Sequence, residues 1–189
     1  SARTGSGKTV AFGLALAGTL LGEGDGAPRA GDPLALVIAP TRELALQVQR
    51  ELAWLYAPAG LSVVACVGGM DIRQERRALS QGAHIVVGTP GRLVDHLTRE
   101  SLFLDGLKAV VLDEADEMLD MGFRDELEQL LSASPAERRT LLFSATVPAA
   151  ISQLAARYQR AARRIDMAAP DTPHGDIAYV GHTVVPRDA

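Results

Sequence analysis

The sequence predicts an α/β domain of three layers, in which a mostly parallel sheet lies between two layers of helices. Short runs rich in β-branched residues alternate with longer helical stretches, which is the pattern of strand–helix–strand units. Several of these runs are apolar throughout, as in a sheet that helices cover on both faces. With 189 residues, 47% of them hydrophobic, the chain is long enough to bury such a core.

The elements follow one another along the whole chain. We predict six strands, at residues 34–39, 62–67, 84–88, 109–112, 139–143 and 164–167. We also predict six helices, at residues 8–21, 41–56, 71–81, 91–99, 124–132 and 148–158. The stretch 22–33 is rich in glycine and charged residues, and it is therefore predicted to be a loop.

A phosphate-handling segment opens the chain. It consists of Ala2, Arg3, Thr4, Gly5, Ser6, Gly7, Lys8 and Thr9. Gly5 and Gly7 allow backbone N–H groups to close on phosphate oxygens, while Lys8 reaches the outer phosphates and the Thr9 hydroxyl can bind magnesium. Ala2 stands where the strict P-loop pattern has its first glycine. An ordinary loop before a helix is the alternative, but the segment favours binding of a nucleoside triphosphate.

An acidic segment follows the apolar run 109–112. Asp113, at the end of this predicted strand, is placed to hold the same magnesium ion from across the sheet, and Glu114 beside it to orient a water molecule. The alternative is a solvated acidic first turn that includes Asp116 and is favoured by the helix dipole. That alternative explains the charges but not their position directly after a buried strand.

Three further turns lie where predicted strands end and helices begin. They contain Pro40, Thr41, Arg42 and Glu43; Gly68 and Gly69; and Thr89, Pro90, Gly91 and Arg92. Helix-terminal N–H groups and the two arginines can contact phosphates of a nucleic-acid backbone, which would give binding independent of base sequence. Each turn alone could equally be a plain connection. Ser144, Ala145 and Thr146 occupy a similar place, and they could simply cap the following helix.

Taken in order, these segments resemble the first RecA-like domain of DEAD-box ATP-dependent RNA helicases. The motifs are Ala-x-Thr-Gly-x-Gly-Lys-Thr at 2–9, Pro-Thr-Arg-Glu-Leu at 40–44, Gly-Gly at 68–69, Thr-Pro-Gly-Arg at 89–92, Asp-Glu-Ala-Asp at 113–116 and Ser-Ala-Thr at 144–146. The resemblance covers essentially the whole chain. It implies a RecA-like P-loop fold, ATP and Mg²⁺ as cofactors, and hydrolysis that RNA stimulates.

The resemblance also implies roles for individual residues. Asp113 would hold magnesium, Glu114 would polarise the attacking water, and Lys8 would bind phosphate. Asp116 would hydrogen-bond to Ser144 and Thr146, and the segment 144–146 would couple hydrolysis to RNA. Recognition of RNA through its 2′-hydroxyl is likewise implied by the resemblance alone.

The resemblance divides the chain into three parts. Residues 1–167 would form the first RecA-like domain, without the upstream strand and the glutamine segment that reads adenine in the family. Residues 168–176, with Pro170 and Pro173, would be an interdomain linker. Residues 177–189 alternate like a strand over 177–185 and would begin the second RecA-like domain, which supplies an arginine for catalysis. We therefore expect residues 1–189 to be inactive alone.

The amino-acid composition further limits the classes of function that the chain can have. The net charge of −4 gives no bulk sign of nucleic-acid binding, so the RNA prediction depends on the motifs. No apolar run approaches the roughly 18 residues of a membrane span. Cys66 is the single cysteine, so no disulfide can form, and the four scattered histidines do not indicate a metal site. We expect a cytoplasmic monomer.

Two other functional classes remain open from the residues. One is a different P-loop enzyme, such as a DNA translocase or a small-molecule kinase, although a kinase needs a lid and an acceptor pocket. The other is a non-catalytic RNA-binding module on an ATPase scaffold, which the presence of Lys8, Asp113 and Glu114 disfavours.

Overall fold

A computed structural model describes residues 7–22, 30–159, 162–167 and 179–184. Its strands are β1 (Ala35–Ile38), β2 (Val63–Cys66), β3 (Ile85–Gly88), β4 (Ala109–Leu112), β5 (Arg139–Ser144), β6 (Ala162–Met167) and β7 (Tyr179–Val184). Its α-helices are α1 (Lys8–Leu21), α2 (Arg42–Tyr56), α3 (Ile72–Ser80), α4 (Pro90–Thr98), α5 (Ala115–Asp120), α6 (Arg124–Ser132) and α7 (Ala149–Tyr158). A 3₁₀ turn, Ala57–Ala59, follows α2.

The strands form one sheet in the order β2-β3-β1-β4-β5-β7-β6. The first five strands are parallel, whereas β7 runs antiparallel to both β5 and β6. Residues of β1, β3 and β4 are buried throughout, which explains why these strands read as continuous apolar runs. The prediction of a mostly parallel sheet is confirmed.

Alternate residues of the central strands supply two separate cores. Leu36 and Ile38 of β1 point to one face, where they pack with residues of α4, α5, α6 and α7. Ala35 and Val37 point to the other face, where α1 and α2 cover them. This alternation builds the three layers, because successive side chains of a strand project to opposite faces of the sheet.

Helix α1 packs closely against α2 at Gly13. A Cβ on Gly13 would lie 2.5 Å from Leu55 Cδ2, so a larger residue would force the Leu55 side chain to move. The Tyr56 hydroxyl donates a hydrogen bond of 2.6 Å to the Gly13 carbonyl, and burial raises the pKa of Tyr56 to about 12. The helix that begins at Lys8 is thereby attached to the helix that begins at Arg42.

The observed elements agree with the predicted ones to within about two residues, with three differences. Helix α5 was not predicted, because its six residues were interpreted only as part of the acidic segment. The short 3₁₀ turn was missed as well. Strand β7 falls in the stretch assigned to a second domain, yet it pairs with β5 of this sheet, whose edge would otherwise expose unpaired N–H and C=O groups.

None of the helices in the described part of the chain combines the length and the apolar character that crossing a bilayer requires.

Candidate nucleotide and nucleic-acid site

The first helix begins at the carboxyl edge of the sheet. Gly7 precedes it with a φ of 73°, a left-handed conformation that suits glycine, and no side chain among the described residues caps the helix. The N–H groups at such a helix start favour a phosphate. Thr9 is buried in the first turn. The predicted nucleotide residues Ala2, Arg3, Thr4, Gly5 and Ser6 lie outside the described residues.

Lys8 meets both acidic residues that end β4. Its Nζ lies 2.7 Å from Asp113 Oδ1 and 3.3 Å from Glu114 Oε1. Burial acts to lower the pKa of Lys8, but the charges and hydrogen bonds of the two carboxylates outweigh it and raise that pKa overall. Lys8 therefore stays protonated at neutral pH. The structure thus brings together residues from two motifs separated by more than a hundred positions.

The Asp113 side chain is completely buried at the end of β4. Lys8 contacts Oδ1, whereas Oδ2 has no hydrogen-bond partner within the described residues. A buried carboxylate with unused lone pairs, together with the hydroxyl of Thr9, which follows Lys8 in the first turn of α1, is a donor set that fits Mg²⁺, which binds through oxygen and keeps several waters. Asp113 and Thr9 are the residues that would hold it.

Glu114 has an unusual backbone. Its φ of 53° and ψ of 54° place it in the left-handed region, where non-glycine residues are uncommon and often functional. This conformation turns the chain from β4 into α5 and leaves the carboxylate half-buried beside Lys8. A hydrogen bond with Glu114, with burial second, raises the pKa of Glu117 to about 7. The three-residue spacing of the two glutamates on a short helix could have indicated this contact.

Asp116 joins α5 to the end of β5. Its Oδ2 accepts hydrogen bonds from the Thr146 backbone N–H at 2.9 Å and from the Thr146 hydroxyl at 2.8 Å. The Asp116 N–H donates to Ser144 Oγ at 3.2 Å, and that hydroxyl donates to the Thr146 carbonyl at 2.6 Å. Burial acts to raise the pKa of Asp116, but these hydrogen bonds lower it overall. Ala145, between the two, is exposed.

The three predicted nucleic-acid turns meet at the loop after β2. Arg42 of α2 donates through Nη1 to the Gly68 carbonyl at 3.4 Å, and Arg92 of α4 donates through Nη2 to the Met70 carbonyl at 3.0 Å. Gly69 has a φ of 78°, and a Cβ there would lie 2.6 Å from Arg42 Nη1. The left-handed backbone favours glycine here, and a larger residue would push the flexible end of the Arg42 side chain away from the Gly68 carbonyl.

The two arginines differ in exposure. Arg42 is exposed, so its remaining donors face solvent. Arg92 has a side chain only 14% exposed, and its Nη1 lies 3.6 Å from Glu75 Oε2. The prediction treated both as direct phosphate contacts. The largely buried Arg92 also shapes the loop through its hydrogen bond to the Met70 carbonyl, and its contact with phosphate stays a prediction.

The remaining predicted residues surround this loop. Thr41 caps α2, because its Oγ1 accepts the Leu44 N–H at 3.3 Å, while Thr89 precedes α4 without using its hydroxyl as a cap. Of the other residues predicted to contact RNA, two are buried, Pro40 and Pro90. Four are exposed, namely Glu43, Gly68, Gly69 and Gly91. A surface cavity of about 900 Å³ lies elsewhere, near the start of β3, and none of the predicted site residues lines it.

The fold defines a RecA-like α/β domain whose first helix brings a lysine to two acidic residues at the carboxyl edge of the sheet. Comparison with known proteins identifies the family. Residues 1–154 match the family model described as DEAD/DEAH box helicase. The chain therefore belongs to the DEAD/DEAH box helicase family, as the resemblance indicated.

Curated relatives and solved structures agree with the family. The chain is 49% identical over 157 residues to the DEAD-box ATP-dependent RNA helicase CshA of Bacillus licheniformis, covering 83% of this chain and 31% of that protein. It is 45% identical over 176 residues to CshA of Bacillus subtilis, and the match covers 93% of this chain and 34% of that protein. A DEAD box protein of Methanococcus jannaschii superposes with a TM-score of 0.73 at 44% identity, over 84% of this chain and 41% of that one.

A yeast DEAD-box splicing factor superposes with a TM-score of 0.75 at 36% identity, over 84% of this chain and 38% of that one. The chain thus spans about a third of the length of the curated relatives it matches.

Proposed function

We propose that this chain is the nucleotide-binding motor domain of an ATP-dependent RNA helicase, acting with a second RecA-like domain. The observation that carries the proposal is the contact of Lys8 with both Asp113 and Glu114 at the carboxyl edge of the sheet. Asp116, Ser144 and Thr146 connect this site to the end of β5 by hydrogen bonds. The names of the relatives, which are RNA helicases, support the choice of substrate.

The residues of this chain have distinct tasks in that reaction. Lys8 and the N–H groups at the start of α1 bind the outer phosphates of ATP. Asp113 and Thr9 would hold a magnesium ion, which would neutralise charge that develops on the phosphoryl oxygens. Glu114 accepts a hydrogen bond from the attacking water and orients it toward the γ-phosphorus. The left-handed backbone at Glu114 fixes the direction of this carboxylate.

RNA would bind at the loop Gly68–Gly69 and the starts of α2 and α4. Backbone N–H groups and the exposed guanidinium of Arg42 suit phosphate oxygens, which carry no base information. We therefore propose binding that is independent of base sequence. Coupling of hydrolysis to RNA is proposed for Asp116, Ser144, Ala145 and Thr146.

An Arg42→Gln substitution tests the RNA face together with the function. In the full-length protein we expect single-stranded RNA to stimulate ATP hydrolysis, and Arg42→Gln to weaken RNA binding several-fold. The salt dependence should become shallower by about 0.7 in log–log slope for one lost phosphate contact. The measurements are RNA affinity at several salt concentrations and RNA-stimulated ATPase rate.

Arg50→Gln is the matched control, because Arg50 is exposed about two turns further along α2 and has no ion pair among the described residues. It should leave RNA affinity unchanged. Equal loss in both variants would show that general charge, not the loop, attracts RNA. Hydrolysis that RNA does not stimulate in the wild type would contradict the proposed function itself.

A Thr146→Val substitution tests the coupling segment. Valine keeps the shape of threonine but removes the hydroxyl that donates to Asp116 at 2.8 Å. Because a hydrogen bond to a charged group contributes about 1.5–3 kcal/mol, we expect RNA stimulation of hydrolysis to fall about tenfold or more. Nucleotide affinity should stay unchanged, as measured by titration with ADP.

Thr140→Val provides the control within the same strand region, because the buried Thr140 hydroxyl has no hydrogen-bond partner among the described residues. It should leave RNA stimulation unaltered. A Thr146→Val protein with full RNA stimulation would exclude Thr146 from coupling.

A further inference from the structure

Glu75 is a buried carboxylate in the middle of α3 that the nucleotide chemistry does not use. It is 3% exposed. Its Oε1 accepts a hydrogen bond of 2.9 Å from the Val67 backbone N–H, and its Oε2 lies 2.7 Å from His96 Nε2. Arg92 Nη1 approaches the same Oε2 to 3.6 Å. These donors compensate for removing the charge from water, as a buried carboxylate requires.

These contacts join two segments of the proposed RNA face. Val67 directly precedes Gly68 and Gly69, while Arg92 and His96 belong to α4. Arg92 also donates to the Met70 carbonyl at 3.0 Å, so the loop is held at both of its ends. The carboxylate of Glu75 is thus the point at which the loop after β2 and the start of α4 are attached to each other.

The geometry of this cluster is that of hydrogen bonds and not of a metal site. Cys66, Glu75 and His96 place potential ligand atoms within 4.8 Å of one another. A tetrahedral zinc ion would hold its nitrogen and oxygen ligands about 3.3 Å apart, whereas His96 Nε2 and Glu75 Oε2 are 2.7 Å apart. Burial, with the Glu75 charge adding to it, raises the pKa of Cys66 to about 12, which keeps the thiol protonated.

We propose that Glu75 is a positioning residue for RNA binding, which sets the loop Gly68–Gly69 and Arg92 in the arrangement that receives phosphates of the RNA backbone. This inference rests on the proposed function. Glu75 contacts no phosphate itself, because it is buried beneath the loop. The nucleotide site lies on other elements, α1 and β4, so its affinity does not depend on Glu75.

The test compares Glu75→Ala with Glu75→Gln in the full-length protein. Glu75→Ala removes the acceptor for the Val67 N–H and the partner of His96, and it should lower affinity for single-stranded RNA at least about tenfold. Glu75→Gln keeps an acceptor for Val67 and a hydrogen-bonding group for His96, so it should restore most of that affinity. Both variants should bind ADP as the wild type does.

Glu128→Ala is the control for loss of a paired glutamate, because Glu128 of α6 contacts Arg157 at 2.7 Å and Arg124 at 3.7 Å. It should not change RNA affinity. Wild-type RNA affinity in Glu75→Ala would overturn the inference, as would parallel loss of RNA and ADP binding, since that indicates a general role in folding. If the wild-type protein binds no RNA, it is the proposed function that fails.

A double-mutant cycle serves if Glu75→Ala does not fold. Glu75→Leu fills the buried space but removes the acceptor for the Val67 N–H, and Arg92→Gln removes the charge that contacts Glu75. Because the two residues act on the same loop, their effects on RNA affinity should be non-additive, and strictly additive effects would overturn the inference.

Discussion

Replacement of Glu114 by glutamine is expected to leave ATP binding intact and to lower the rate of hydrolysis in the full-length protein by about 10²–10⁴-fold. Glutamine keeps the size of the side chain but cannot accept a proton from the attacking water. Its amide also loses the charge that Glu114 presents to Lys8 at 3.3 Å, while the 2.7 Å contact of Lys8 with Asp113 remains. Single-turnover hydrolysis and nucleotide titration measure the two effects separately.

The matched control is Glu137→Gln, which alters an exposed glutamate away from the site. It should hydrolyse ATP at the wild-type rate. Equal rates for the wild type and Glu114→Gln would remove Glu114 from the reaction, and another group would have to orient the water. Weaker ATP binding in Glu114→Gln would point to an electrostatic role through Lys8.

Residues 1–189 by themselves are expected to hydrolyse ATP about 10³–10⁵-fold more slowly than a protein that also contains the second RecA-like domain, and to unwind no RNA. The reason is that the transferred phosphoryl group needs a further positive charge. Among the described residues, Lys8 is the cation in contact with Asp113 and Glu114, and in the family an arginine of the second domain completes the site. Steady-state ATPase assays with and without RNA on both proteins measure the difference.

A mixture of the 189-residue protein with a separately produced second domain is a useful control. Partial recovery of activity would show that the short protein is folded and lacks only the missing charge. Robust RNA-dependent turnover by residues 1–189 alone would contradict the expectation and place a complete catalytic site within this chain.

The sheet and the proximity of Lys8 to Asp113 could be predicted because their signals are local. Lys8 and Asp113 each follow a recognisable pattern, and the rule that ligands bind at the carboxyl ends of parallel strands brings them together. Helix α5 was harder to predict, because six residues give less than two turns of periodicity. Buried Ala115 and Met118, three positions apart, were the available sign.

The role of Glu75 could not be predicted with the same rule. It lies in the sequence Arg-Gln-Glu-Arg-Arg, whose polar and charged residues predict a solvent-exposed helix. Ile72 and Leu79 flank it at spacings of three and four residues, which places it on the inner face of α3. The partner atoms are the backbone of Val67 and a histidine 21 positions away, and only tertiary structure brings these to it.

The contact between Lys8 and Asp113 bears on how ATP and its metal ion enter the site. The ammonium group already has a carboxylate counterion at 2.7 Å, so a phosphate must displace that partner before it gains the full attraction of the positive charge. Departure of Lys8 would leave Asp113 buried with an uncompensated charge, which is strongly unfavourable. A divalent cation at Asp113 would relieve this penalty. We therefore expect nucleotide and metal affinities to be thermodynamically linked, each ligand strengthening the other by exchanging ion-pair partners within one small cluster.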